Sequence, residues 1–288
     1  MLFKLFFCVI IDVSGGDNMC GKLKYPILLV HGMGFRDRKY LCYWGRIPKK
    51  LEAMGCRVFY GNQDSNASIE TNGKHIAKRI DEILRETGAK KVNIIAHSKG
   101  GLDSRYAISS LKSGGKVASL TTISTPHHGS KTMDMIMKFP GFLVKFSCAC
   151  ADLWFRILGD KKPDTYKVLC SFTTCESEKF NKVNPDFKEV YYQSFAFVMK
   201  KPSSDMSLWF SNAFINRIEG ENDGLVTPDS AKWGEFRGVF TGVGRRGISH
   251  CDEVDMRRRP LAKKEGNGVR DILDLYVDIA RGLIEKGY

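Results

Sequence analysis

The stretch KVNIIAHSKGGLDSRYA, Lys91 to Ala107, runs apolar for several residues, places His-Ser-Lys-Gly-Gly, and then turns amphipathic. This reads as a buried strand, a sharp turn and a helix. Such a turn costs backbone strain, and strain is usually kept for a reason. In the pattern Gly-x-Ser-x-Gly the serine sits between strand and helix with its hydroxyl exposed, and small residues flank it because the backbones approach closely. Here the pattern reads Ala96-His97-Ser98-Lys99-Gly100. Alanine is the next smallest residue, so the geometry survives and Ser98 becomes a candidate nucleophile.

The same alternation continues on both sides. YPILLVHG (Tyr25 to Gly32) reads as a short buried strand ended by glycine, and CRVFYG (Cys56 to Gly61) as a second strand. SIETNGKHIAKRIDEILRETG (Ser68 to Gly88) carries Ile76, Ile80, Ile83 and Leu84 at helical spacing and stops at glycine. GGLDSRYAISSLKSGG is a second helix and VASLTTIST a further strand. Strands alternating with helices at this spacing predict an α/β domain with a parallel sheet. The alternation breaks from Lys131 to about Asp186, where MDMIMKFPGFLVKFSCACADLWFRILG is either a set of core helices or an apolar cap over the sheet. EVYYQSFAFV and RGVFTGV resume as strands, and GVRDILDLYVDIARGLIEKGY closes the chain as an amphipathic helix.

The chain has 288 residues, 43% of them hydrophobic, enough for one large domain without a partner. Its net charge of +13 is clustered in RDRKYLCYWGRIPKK (Arg36 to Lys50) and RRRPLAKK (Arg257 to Lys264). These runs are either a solvated basic face or an attraction to an anionic surface. No nucleic-acid motif is present, so an anionic lipid interface or an acidic product is the better of the sharper readings. The nine cysteines are scattered and form no Cys-x-x-Cys pair, which excludes the usual zinc spacing and reads as reduced thiols. Only Cys170 with Cys175 stands out as a candidate disulfide. The apolar run from Leu2 to Ile11 is too short to span a bilayer, and no small-residue cleavage site follows it. Residues 1–18 are read as an extension or weak signal-like segment before a domain over 19–288. A cytoplasmic location is favoured and secretion is the alternative.

A serine hydroxyl needs a base to take its proton. Of six histidines, His75 lies on the first helix, His97 adjoins Ser98 and points away from it, and His31, His127 and His128 lie at strand ends where they could shape a site. His250, in GISHCDEVD, follows a late strand, as the order serine, acid, histidine requires in hydrolases of this architecture. The acid between them is Asp223 in the Asn-Asp-Gly turn of IEGENDGLVTPDSAKWG, with Glu219, Glu221 and Asp229 as rivals. Its carboxylate would hold the imidazole's tautomer. An oxyanion hole needs two backbone N–H groups: Lys99 follows the serine, and Met33 lies in the glycine-bearing loop HGMGF.

YPILLVHGMGF, AHSKGGLDSRYA, TTISTPHHGS, ENDGLV and SHCDEVD occur in this order. Together, over roughly Tyr25 to Asp255, they resemble the bacterial triacylglycerol lipases of the α/β-hydrolase fold, of the Pseudomonas and Burkholderia type. The resemblance implies Ser98 as nucleophile, Asp223 as acid, His250 as base, and Met33 and Lys99 as oxyanion donors. It also implies an apolar helical lid over about 131–186 and a structural calcium held by Asp205 and Asp252, with carbonyls near Met256 and Pro260. The three arginines of MRRRPLAKK depart from the family at that place, and a salt bridge from Asp252 to Arg257, Arg258 or Arg259 would hold the same loop without an ion. Lys99 also departs, since Met or Gln is usual there, but only its backbone N–H is needed. The expectation is a serine hydrolase of carboxylic esters, acylglycerol esters first, requiring no cofactor for its chemistry. A small-ester esterase or acyltransferase is the alternative, and a non-catalytic lipid-binding protein on the same fold a further one.

Overall fold

The computed structural model describes residues 22–37 and 42–288. Six strands form one parallel sheet: β1 (Ile27–Val30), β2 (Val58–Tyr60), β3 (Val92–His97), β4 (Val117–Ile123), β5 (Tyr191–Phe197) and β6 (Glu235–Phe240), in the order β2-β1-β3-β4-β5-β6. The helices are α1 (Ile47–Ala53), α2 (Ile69–Thr87), α3 (Lys99–Ile108), α4 (Lys131–Ile136), α5 (Gly141–Ile157), α6 (Thr165–Ser171), α7 (Thr174–Val183), α8 (Trp209–Glu219), α9 (Pro228–Ala231) and α10 (Ile272–Glu285). The sequence places the strands and α2 to within a few residues. The helix after Ser98 is shorter than its pattern suggests. It ends at Ile108, and Ser113–Lys116 form a separate short turn of 3₁₀ helix. The extension read at residues 1–18 lies outside the described residues.

Strands β1, β3 and β4 are buried on both faces; β1 is apolar throughout, while β3 and β4 also bury Asn93, Ser119, Thr121 and Thr122, and carry no Asp, Glu, Lys or Arg. Alternate side chains of β3 serve two cores. Ile95 packs with Trp44, Phe195 and Tyr276 under α1 and α10, while Ile94 and Ala96 pack with Ile76, Ile80 and Ile83 of α2. Those three isoleucines are fully buried, each worth about 1.5–3 kcal/mol. Ser68 caps the start of α2 by accepting from the Thr71 N–H, and Gly88 ends it in the left-handed conformation.

The strand order fixes where a site can form. From β1 the chain steps outward to β2 and then crosses back to β3 on the other side, so the chain ends after β1 and β3 diverge side by side. That divergence is the crevice in which open α/β sheets bind ligands.

The segment between β4 and β5 folds into α4 to α7. Of α5 only Cys148 is buried, although its mean composition is apolar. Phe142, Phe146 and Ile157 are each about 70% exposed, at 73%, 70% and 69%. Much of this stretch is therefore not core. Cys170 and Cys175 are both free thiols rather than a bridge. The basic runs are also less solvated than their composition suggests. Arg46 pairs with Asp255 at 2.7 Å and Asp271 at 3.0 Å, and Arg36 reaches Asp160 and Asp64. Among the described residues no helix is long and apolar enough to cross a membrane.

Candidate active site

Ser98 has φ 53° and ψ −132°, a region that non-glycine residues avoid, at a strain of about 1–3 kcal/mol. The surroundings hold it there. Its N–H donates to the Ile123 carbonyl at 2.9 Å, and Thr125 Oγ1 donates to its own carbonyl at 2.7 Å. The elbow also depends on missing side chains. A Cβ on Gly100 would stand 2.5 Å from the His31 carbonyl, and one on Gly32 would stand 2.8 Å from Ser98 Cβ. The loop after β1 is thereby packed against the serine, with half-buried Met33 next in the chain.

His250 Nδ1 lies 2.8 Å from Asp223 Oδ2. The remaining oxygen of Asp223 accepts from the Leu225 and Val226 N–H groups, both at 2.8 Å. Burial works to raise the Asp223 carboxyl, but the His250 charge and these donors hold it below the usual carboxylate range. The His250 ring lies 4.3 Å, centroid to centroid, from that of His97, the residue before Ser98. The rival acids are elsewhere. Glu219 accepts from Ser130 Oγ and the Thr132 N–H, and Asp229 pairs with Lys232 on the surface.

Behind these residues runs a buried chain of hydrogen bonds that the sequence does not reveal. The Gly32 N–H donates to Tyr43 Oη at 3.1 Å, and Tyr43 Oη lies 2.6 Å from His97 Nδ1. His97 Nε2 lies 3.0 Å from Glu253 Oε2, and Ser124 Oγ donates to Glu253 Oε1 at 3.0 Å. Glu253 in turn hydrogen-bonds Asp223. Burial, and then the charge of Asp223, push the Glu253 carboxyl well above its ordinary range. Burial, and then the charge of His250, push His97 well below its own. A neutral acid and a neutral imidazole fit one direction of donation, from Gly32 through Tyr43, His97 and Glu253 to Asp223. The only sequence signal for this was Glu253 standing three residues after His250.

Lys99 contributes more than a backbone group. Its side chain is buried and its Nζ lies 2.6 and 2.8 Å from the two oxygens of Asp103, which Asn72 also holds at 2.9 Å. Burial raises the Asp103 carboxyl to about 6 despite the lysine. His127, buried, is engaged by Arg105 and Thr122 and stacks on Trp233, while His128 is exposed and His75 likewise. His31, buried between Gly32 and Gln63, is lowered to about 4, mainly by burial.

Asp205 and Asp252 are brought together as expected, but as a calcium site they do not fit. Arg257 Nε lies 2.7 Å from Asp252 Oδ1, its terminal nitrogen Nη2 lies 3.6 Å from Asp205 Oδ2, and Arg246 takes the other Asp252 oxygen at 3.1 Å. Guanidinium groups stand where the ion was expected, which is the salt-bridge alternative.

Residues 25–227 match the family described as the alpha/beta hydrolase fold. The chain belongs to that family. Within it two similar curated proteins are lipases. Triacylglycerol lipase 2 of Saccharomyces cerevisiae is 30% identical over 274 residues, covering 88% of this chain and 78% of the relative. The triacylglycerol lipase of Pseudomonas fragi is 27% identical over 298 residues, covering 92% and 97%. The fold recurs in a metagenomic carboxyl esterase, with a TM-score of 0.70 at 16% identity over 96% of this chain and 80% of that one. It recurs too in the Staphylococcus hyicus lipase, at 0.66 and 18% over 95% and 99%. The chain is a hydrolase of the carboxylic-ester class in a lipase family.

Proposed function

We propose that the chain hydrolyses acylglycerol esters through an acyl-enzyme on Ser98. The observation that carries this is the strained Ser98 elbow together with a His250–Asp223 pair whose imidazole lies against His97, the residue before Ser98. In this reading His250 Nδ1–H donates to Asp223, leaving Nε2 to take the Ser98 proton as Oγ bonds to the ester carbonyl carbon. The Met33 and Lys99 N–H groups hold the resulting oxyanion. On collapse the C–O bond to the alcohol breaks, and the alcohol leaves with the proton from His250. Water then repeats the sequence on the acyl-enzyme and frees the acid and Ser98.

A lipid substrate is supported by a largely apolar groove of about 370 Å³ that joins the loop after β1, at Gly34, Phe35 and Arg36, to Trp154 and Phe155 of α5 and Leu158 just beyond it, with Ser65 also in its wall. It could take an acyl chain next to the oxyanion loop. The outer face of α5 would act as a lid and meet the lipid phase, with exposed Lys138, Lys145 and Arg156 favouring an anionic interface. The test is a chain-length series of p-nitrophenyl and glyceryl esters, together with a fluorophosphonate probe. Labelling at Ser98 with activity rising toward longer chains is expected. Ester hydrolysis that survives Ser98→Ala overturns the reading.

A further inference from the structure

Three oxygens of the loops beside His250 converge on one side chain. Asp252 Oδ1 lies 2.7 Å from Arg257 Nε, Asp205 Oδ2 lies 3.6 Å from Arg257 Nη2, and the Ser204 carbonyl accepts from that same Nη2 at 3.3 Å. Ser249, the residue before His250, ties the two carboxylates together. Its Oγ donates to Asp205 Oδ2 at 2.7 Å and its N–H to Asp252 Oδ2 at 3.2 Å. Two facing carboxylates repel each other, strongly so with Asp252 fully shielded from water, and need about two positive charges between them. Arg257 and Arg246 supply two. The donor set, two carboxylates and a backbone carbonyl, is otherwise made of the hard oxygens that calcium takes.

We propose that Arg257 is the positioning residue of the His250 loop, a guanidinium that permanently fills the cation position between Asp205 and Asp252, so that the chain is calcium-independent and carries a calcium site that is unmasked when Arg257 is removed. The role given to His250 rests on the function proposed above; the cation position does not. A side chain holds this place at every calcium concentration, whereas an ion held by two carboxylates and one carbonyl would come and go with its concentration. The fork of the guanidinium also reaches both loops at once, as an ammonium would not.

The experiment measures Tm, calcium binding by calorimetry, and kcat, in EDTA and in millimolar calcium. Wild type should show the same Tm and kcat in both and bind no calcium. Arg257→Ala in EDTA should lose about 5 °C or more of Tm and about tenfold or more in kcat from a displaced His250. Calcium should bind it and restore both, and Asp205→Asn added to Arg257→Ala should abolish the restoration. Arg257→Lys in EDTA should fall between wild type and Arg257→Ala. A wild type that loses Tm in EDTA and regains it with calcium overturns the proposal. So does an Arg257→Ala protein as stable and active as wild type without metal, or one that calcium neither binds nor refolds. Tm and calcium binding are read without substrate, so they stand or fall apart from the ester-hydrolase reading.

Discussion

Asp223 Oδ2 and His250 Nδ1, 27 residues apart in sequence, lie 2.8 Å from each other, with both side chains almost shut off from water. An acid and an imidazole so placed define a single tautomer, with the proton on Nδ1 and a free lone pair on Nε2. If this pair serves Ser98, Ser98→Ala should remove fluorophosphonate labelling and lower turnover by about 10⁶. Asp223→Asn should lower it by about 10⁴ while labelling persists slowly. Circular dichroism should confirm that both variants fold.

Glu253 offers a pH test. A carboxyl whose folded-state pKa is raised stabilises the fold below its unfolded value and loses that contribution as the pH rises through the folded value. Wild-type Tm should therefore decline as pH rises above the ordinary carboxyl range, and Glu253→Gln, which cannot ionise, should lack that part of the decline. Relative to wild type, Glu253→Gln should look better at pH 8 than at pH 5. The amide retains a donor for Asp223 but must compete with the His97 N–H, so a loss of activity within about tenfold is expected. Glu253→Ala, which removes the donor altogether, should lose more. A Tm difference that is flat with pH would mean that Glu253 is an ordinary ionised carboxylate.

Lys99 and Asp103 form an ion pair in which each side chain is 1% exposed. Asp103→Asn strands a buried cation and should reduce stability by about 3–5 kcal/mol at pH 7, measured by urea unfolding. The double replacement Lys99→Met with Asp103→Leu should lose less than Asp103→Asn alone, since no charge remains unpaired. Additive losses would show that the pair contributes little.

The exposed face of α5 separates a lid from a surface helix. In the double replacement Phe142→Asp with Phe146→Asp, each should change the unfolding free energy by no more than about 0.5 kcal/mol, because both rings are already in water. The same change should reduce hydrolysis of an emulsified long-chain ester several-fold more than that of a soluble short one. Trp154→Ala, at the groove, should shift the preferred chain length under either condition. Equal effects on both substrates would remove α5 from interfacial recognition.

Much of this molecule is legible from the chain alone. Strands buried on both faces exclude Asp, Glu, Lys and Arg and are rich in apolar and β-branched residues, so β1, β3 and β4 announce themselves, and glycines that let neighbouring segments approach, such as Gly32 and Gly100, mark the elbow around Ser98. His250 and Asp223 follow from chain order and turn chemistry, which are local or ordinal properties. What the sequence cannot hold is a relation between residues that only the folded sheet brings together. Lys99 and Asp103 stand four apart on one helix, yet their pairing becomes consequential only through burial against α2. The chain from Gly32 through Tyr43, His97 and Glu253 joins four separate segments. The charge runs mislead for the same reason. Composition counts Arg36, Arg46 and Arg257 as free cations, and only tertiary structure sets carboxylates beside them, because pairing depends on distance in space and not on position along the chain.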